Sequence, residues 1–530
     1  MPNGYLCLIL HAHLPFVRHP EHEHFLEENW LFEAITETYI PLLNSFERLA
    51  QEGIAYRLTL SLSPTLLTML ADELLCQRYI TYLQRLIELS GKEIQRTRKQ
   101  PHIQKLARLY RRWYKQTLDH FQNRYRYQLV PAFARLQQQG LLEIITCSAT
   151  HGFLQLLQQD PGAVHAQLQV ASDYYQRTFN RPAPGIWLPE CNYYPGLEES
   201  LERCGFNYFF VETHAIHHAS VKPVYSHFAP ITCPNKVVAF GRDPEASEQV
   251  WSAEQGYPGD SDYREFHRDI GFELDIDYLT PYLPCPPHRS STGLKYHSIS
   301  DRNNDNKNLY QPRQAQLKAQ HHAEHFLQTR IAQVDKLATW MDRPPIIIAP
   351  YDAELLGHWW FEGPHWLEHL IRSTVQTQNT LKLITPTDYL QQHPLLQQST
   401  PNASSWGDQG YSKHWLNETT DWIFPHLHDA AQHMQVLAIQ YQHESSQTLN
   451  HRAVTQAGRS LLLAQASDWP FILKNGTSTQ YAARRVRDHL ARFNYLTQAL
   501  TEDTLDENKL IAIETLDAIF PELDFRIFTE

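Results

Sequence analysis

"IIIAPYDAELLGHWWFEGPHW" occupies residues 346–366. An apolar run, Ile346 to Ala349, gives way to Asp352 and Glu354, and Trp359 and Trp360 follow. A short run rich in β-branched residues reads as a strand buried on both faces, as in a parallel sheet. The chain repeats this arrangement. "YLCLIL" stops before His11, "YRLTLSLS" before Pro64, "LLEIITC" before Ser148 and "GIWLP" before Glu190. "NYFFVE" ends at Glu212, "KVVAF" precedes Gly241 and "LKLIT" precedes Pro386. Helical patterns separate many of these runs. Residues 29–50 place Trp30, Phe32, Ile35, Tyr39, Leu42, Leu43 and Phe46 near helical spacing, with Gly53 as a stop. Asp160-Pro161 predicts a cap with proline at the first helical position, opening a helix to about Phe179. Strands alternating with helices predict an α/β fold with a parallel sheet, open or closed. In both forms chemistry sits at the C-terminal ends of strands. That is where this chain places His, Glu and Asp.

The alternation breaks at 70–140, which is charged and helix-rich, and there we expect an inserted helical domain. Residues 213–345 mix short strands with Pro-, Gly- and Asn-rich loops such as "CPPHRSS". After the linker-like "HPLLQQSTPNASS" (393–405) the pattern is helical to about residue 500.

A chain of 530 residues exceeds one ordinary core. Its net charge of −12 argues against general binding to nucleic acid or anionic membrane. No apolar run approaches a membrane span, and the run Tyr5–Leu10 is too short for a signal peptide. The seven cysteines lack zinc-type spacing and read as reduced thiols, so a cytoplasmic protein is expected. Aromatics are abundant, with 12 Trp, 27 Tyr and 23 Phe. They suit a hydrophobic core, and equally a groove where flat rings meet the apolar faces of sugars.

Glu190 and Asp352 each follow a proline-marked strand end. Two carboxylates at two strand ends of one sheet can face each other across a cleft. Glycosidic chemistry needs such a pair, one as nucleophile or base and the other, with a raised pKa, as acid. Retention of configuration asks for a carboxyl separation of ~5–5.5 Å, inversion for ~6.5–9.5 Å. The plainer alternative is that each acid caps a nearby helix. His11 and His13 point the same way on a strand. They could ligate a metal, with His321 and His325 of "HHAEH" or His214, His217 and His218 as further ligands. Hydrogen bonding to sugar hydroxyls is the better reading. "CSATHGF" (147–153) brings Ser148, Thr150 and His151 to another strand end, but without a nucleophile elbow. No phosphate-binding glycine pattern is present. "WGDQGYSKHWLNETTDW" (406–422) and "AQASDWPFILKNG" (464–476) add Trp406, Trp415, Trp422, Asp468 and Trp469.

"HAHLPF" (11–16), "SATHGF" (148–153), "GIWLPEC" (185–191), "APYDAELLGHWWFEGP" (349–364) and "WGDQGY" (406–411) come in the order and spacing of a known family. Over nearly its whole length the chain resembles glycoside hydrolase family 57, most closely its 1,4-α-glucan branching subgroup. "FGRDPEASEQVWS" (240–252), "GYPGDSDYREFHRDIGFEL" (256–274) and "LLLAQASDWPFI" (461–472) look characteristic of that subgroup. The resemblance implies a (β/α)7 incomplete TIM-like barrel over 1–69 and 141–400, an inserted helical domain over 70–140 and a C-terminal helical domain over 401–530. It implies a retaining mechanism, with Glu190 in the nucleophile's position and Asp352 in that of the general acid/base. It implies substrate contacts at His11, His13, Trp30, His151, Arg264, Trp406, Trp415 and Asp468. Phe272 stands where some relatives carry tryptophan, and Gln155 where relatives often carry proline. Trp359 and Trp360 point differently, so one can be core and the other near the sugar groove. We expect Trp360 at the groove and Glu354 as a bystander to Asp352. A mobile loop over the site is expected, with 219–263 as the candidate. The implied partners are α-glucan donor and acceptor chains. No metal, cofactor, nucleic acid or membrane is implied, and a monomer is expected. The competing readings are an α-amylase or 4-α-glucanotransferase of the same family, a metal-dependent carbohydrate deacetylase, and a catalytically silent glucan-binding protein.

Overall fold

Each of the apolar runs becomes a strand. The computed structural model describes residues 2–252, 255–300, 306–377 and 380–529. Its strands are β1 (Gly4–Ala12), β2 (Leu58–Leu62), β3 (Leu142–Cys147), β4 (Gly185–Trp187), β5 (Tyr208–Val211), β6 (Ile231–Thr232), β7 (Val238–Gly241), β8 (Ile346–Asp352), β9 (Leu381–Leu383) and β10 (Gln397–Gln398). Side by side and parallel run β8, β1, β2, β3, β4, β5 and β7. The dipeptide strands β6 and β10 carry no apolar run; β6 lies in the segment where short strands and loops are expected, and β10 in the stretch read as a linker. Every residue of β1 is buried, as a strand covered on both faces requires. The sheet curls until its ends meet. The backbone N–H of Asp243, just past β7, donates to the Ile348 carbonyl on β8 at 2.8 Å. This is the incomplete (β/α)7 barrel.

Register places the chemistry. His11 on β1 pairs with Ser61 on β2 and with Asp352 on β8, so these side chains share one level at the barrel's C-terminal rim. Just beyond the rim the helical segment 28–51 contains a π-helical turn, Ile35–Tyr39. Such turns often mark functional regions. This one presses against the loop after Asp352. Gly357 there has φ +126°, and a Cβ would lie 1.9 Å from the Glu37 carbonyl oxygen, so only glycine fits.

Helices Glu73–Arg96 and Pro101–Asp119 pair where the inserted domain is expected. They bind the loops of 278–296: Tyr110 donates to the Lys295 carbonyl at 2.6 Å, and Tyr278 and Tyr296 donate to Glu93 at 2.9 and 3.0 Å. Helix Val130–Gln138 packs instead on β3. Past the linker, helices run Ile423–Gln440, Leu449–Ala464, Asp468–Asn475, Thr479–Thr501 and Glu507–Leu516. Helical structure therefore continues beyond residue 500.

Two local expectations are corrected. Residues 219–263 are not one loop: they hold β6, β7 and helix Pro244–Trp251, while 253–254 lie outside the described residues. Asp160 does precede helix Pro161–Phe179, but its carboxylate does not cap it. It binds His428 Nδ1 at 2.6 Å and so ties a barrel helix to the C-terminal helices. Among the described residues no helix is long and apolar enough to cross a membrane, and no disulfide joins the cysteines.

Candidate active site

Glu190 lies three residues past β4, after Leu188-Pro189 turns the chain. Its backbone takes the left-handed conformation, φ +61°, as does that of His151, φ +59°. Non-glycine residues adopt this rarely, and such residues cluster at functional sites. The Glu190 carboxylate is held from the C-terminal side of the chain. Ser467 Oγ donates to Oε1 at 2.8 Å and Trp406 Nε1 donates to Oε2 at 2.7 Å. The Trp406 backbone N–H also donates to the Glu190 carbonyl at 2.9 Å, so this tryptophan is strapped to Glu190 twice.

A line of hydrogen bonds extends from Glu190 across the rim. Ser467 Oγ lies 2.7 Å from His151 Nδ1, His151 Nε2 lies 3.0 Å from His11 Nε2, and His11 Nδ1 lies 3.1 Å from Ser61 Oγ. Ser467 spends its proton on Glu190, so it must accept from His151 Nδ1–H. His151 Nε2 then accepts from His11 Nε2–H, and Ser61 donates to His11 Nδ1. Each group fills one role with both imidazoles neutral. Burial holds both imidazoles well below their usual pKa, which agrees. His13 stacks on His151 at 3.9 Å and binds Ser63 Oγ at 2.8 Å and Asp468 at 3.0 Å.

Burial raises the Glu190 carboxyl to about 8, and the charges of Asp468 and Asp352 add to this, while the bonds from Ser467 and Trp406 oppose it. In the nucleophile's role that the family resemblance implies, Glu190 must be ionised while its partner acid is protonated, so activity is confined to the pH range between the two pKa values. Ser467→Ala removes a bond that favours the ionised form. We predict that the limb of the kcat/KM profile governed by Glu190 moves to higher pH by about half to one unit. An unmoved limb would show that Ser467 does not act on Glu190.

Asp352 ends β8, and its side chain opens into a cleft walled by protein. Burial raises its carboxyl, opposed by the charges of Arg242 and His13. Arg242, which the sequence reading missed, donates to Glu212 at 2.8 Å. Glu354 is indeed the bystander: it is hydrogen-bonded by the Tyr39 hydroxyl and raised to about 8 by burial. Beside Asp352 the cleft holds ≈ 660 Å³ and is walled by Arg242, Glu212, Trp251 and Trp406 among others.

The remaining expected contacts divide. Trp30 is half-buried, edge-on to Tyr481 at 5.8 Å, and Phe272 is exposed on helix Ile270–Glu273. Three side chains lie in the interior, which corrects their assignment to the substrate. Trp415 is fully buried, edge-on to Trp406 at 5.2 Å, and supports that ring. Arg264, 4% exposed, pairs with Glu37 at 2.9 Å and lies 3.8 Å from the Phe361 ring. Trp360, 1% exposed, packs on Tyr263 and Trp366, and it is Trp359, 54% exposed on Phe266, that faces out. We predict that Trp360→Ala lowers stability by about 3–5 kcal/mol in chemical unfolding, and Trp359→Ala by under about 1 kcal/mol. Equal losses would contradict this assignment. Gln155 uses the N–H that a proline lacks, donating to Asn192 Oδ1 at 3.0 Å.

Among the described residues, potential ligand atoms of His11, Cys147 and His151, and of His13, His151 and Asp468, lie within 4.8 Å of one another. The His13 and His151 rings, however, are parallel to within 6°. Stacked rings present their lone pairs side by side and do not converge them on one ion. The His11–His151 hydrogen bond occupies a lone pair as well. Neither of these groups includes His321 or His325; His325 binds the Tyr257 hydroxyl at 2.7 Å.

A curled α/β barrel with two raised carboxylates at its rim, among histidines and tryptophans, defines an enzyme that acts on glycosidic bonds. Residues 7–398 match Glycosyl hydrolase family 57, and residues 426–528 match the domain described as 1,4-alpha-glucan branching enzyme, C-terminal. The chain belongs to glycosyl hydrolase family 57. It is similar to the crystal structure of the alpha-amylase AmyC from Thermotoga maritima, with 42% identity, TM-score 0.93 and 99% of each chain covered. It is similar to the branching enzyme from Pyrococcus horikoshii, with 30% identity, TM-score 0.89, and 100% of this chain and 97% of that one covered. It is also 31% identical to a 1,4-alpha-glucan branching enzyme of Thermococcus kodakarensis, covering 94% of this chain and 74% of the relative.

Proposed function

We propose that the chain is a 1,4-alpha-glucan branching enzyme with a retaining mechanism. The observation that supports this is the hold of the C-terminal segment on a rim carboxylate: Trp406 and Ser467 both donate to Glu190, and residues 426–528 match the branching-type C-terminal domain. Glu190 attacks C1 of an α-1,4-linked glucose while Asp352 gives its proton to the departing oxygen. The C1–O4 bond breaks and a C1–Oε bond forms. A 6-hydroxyl of an acceptor glucan then attacks C1, gives its proton to Asp352, and frees Glu190. One glycosidic bond replaces another, so no energy donor is needed. The donor sugar sits over the floor of His11, His13, His151 and Asp468, and meets it through His13 and Asp468, the two that are only partly buried. In this reading the products are glycogen-like polymers made in the cytoplasm, where thiols stay reduced.

The second reading is α-amylase activity, favoured by the name of the 42% identical neighbour. It uses the same intermediate with water as acceptor. Incubation with amylose and linkage analysis of the product separates the two. New α-1,6 linkages are expected; shortened chains without them would sink the branching reading.

A further inference from the structure

We infer that the cleft beside Asp352 is the acceptor-chain subsite, and that Trp251 is the platform that directs the intermediate to a sugar hydroxyl and away from water. This rests on the branching reading. The acid protonates the oxygen that joins the donor sugar to the departing chain. The departing chain, and the acceptor that replaces it, therefore lie on Asp352's side. The histidine floor around Glu190 is left for the donor sugar.

The cleft on that side is built for a glucan. Trp251 is 53% exposed, and its ring meets Trp406 at 6.0 Å and 65°, so the two rings form an aromatic corner. A glucose ring can lay its C–H face on Trp251 while its hydroxyls reach the Arg242–Glu212 pair below. That pair supplies donors and acceptors in a fixed geometry, held at 2.8 Å. The volume of ≈ 660 Å³ suits a short stretch of chain.

The platform is also rigidly tied to the acid. Trp251 ends helix Pro244–Trp251, whose Asp243 cap accepts from the Ala246 N–H at 2.7 Å and from Arg330 at 3.1 Å. The hydroxyl of Tyr351, the residue before Asp352, donates to the Ala246 carbonyl at 2.9 Å. A chain seated on Trp251 is thus held in register with the carboxyl that must take its proton. Holding the acceptor in an attack geometry is what favours transfer over hydrolysis.

The test uses the full-length enzyme as Trp251→Ala and Trp251→Tyr on amylose, counting new α-1,6 linkages and new reducing ends. In Trp251→Ala the ratio of branches to reducing ends should fall by about tenfold. Trp251→Tyr should keep most of the parent ratio. An unchanged ratio in Trp251→Ala overturns the proposal, even if total cleavage falls. A parent enzyme that makes no α-1,6 linkages overturns the branching reading instead. In that case the ratio of transferred to hydrolysed chains still decides the role of Trp251.

Discussion

Glu190→Gln should lower both cleavage and transfer by at least about 10³-fold, or roughly 4 kcal/mol of transition-state stabilisation. The amide keeps the carboxylate's shape. Its oxygen can still accept from Trp406 Nε1, and its NH2 can donate to Ser467, whose hydroxyl rotates. The fold should therefore survive, and an unchanged melting temperature would confirm that. The amide oxygen is too poor a nucleophile to form the C1–Oε bond. Burial, the positive φ and the donor bonds are all spent on one carboxylate, and no neighbour can replace it. Asp468 is committed to His13 at 3.0 Å, and Glu354 is hydrogen-bonded by Tyr39. Reducing-end and branch assays on amylose check this; activity within tenfold of the parent would overturn the assignment of Glu190.

Asp352→Asn should fail differently. With a natural glucan the departing oxygen needs a proton, and the expected loss is about 10²–10⁴-fold. With a glucosyl donor whose leaving group departs unprotonated, such as a fluoride, the first step should be largely preserved. The intermediate should then accumulate, because no base activates the acceptor. A small anionic nucleophile that needs no base should restore turnover. The pH profile carries a second sign. The protonated form of Asp352 does the cleaving, so its titration sets one limb of the profile, and Asp352→Asn should lack that limb. Equal losses with the fluoride and with amylose would remove Asp352 from the acid role.

The barrel and the two rim carboxylates were legible because their signals are local. A buried parallel strand must be apolar, and it must end where the chain turns polar, so Glu190 and Asp352 announce themselves. The errors lie where the partner is remote or the period breaks. Trp359 and Trp360 follow a 3-10 turn, Ala353–Leu355, and a bridge from Leu356 to Trp360 decides which ring turns inward. Strand alternation does not extend through such a turn. Arg264 reads as a free cation until Glu37, 227 residues earlier, neutralises it inside the protein. Trp415 sits among glycines and polar residues, yet it is the buried support beneath Trp406. Ser467 carries no signal of its own, because only the fold brings it to Glu190. Arg242 and Trp251 stood in a segment read as a mobile loop, which hid the helix Pro244–Trp251 that follows the expected strand.

Ser467 lies 277 residues after the carboxylate it holds. During synthesis Glu190 emerges from the ribosome long before the residue that holds it, and a chain cut before residue 467 carries the carboxylate without that bond. The C-terminal segment is therefore part of the site's wall and not an appendage: a truncation that spares every barrel strand still changes the surroundings of Glu190.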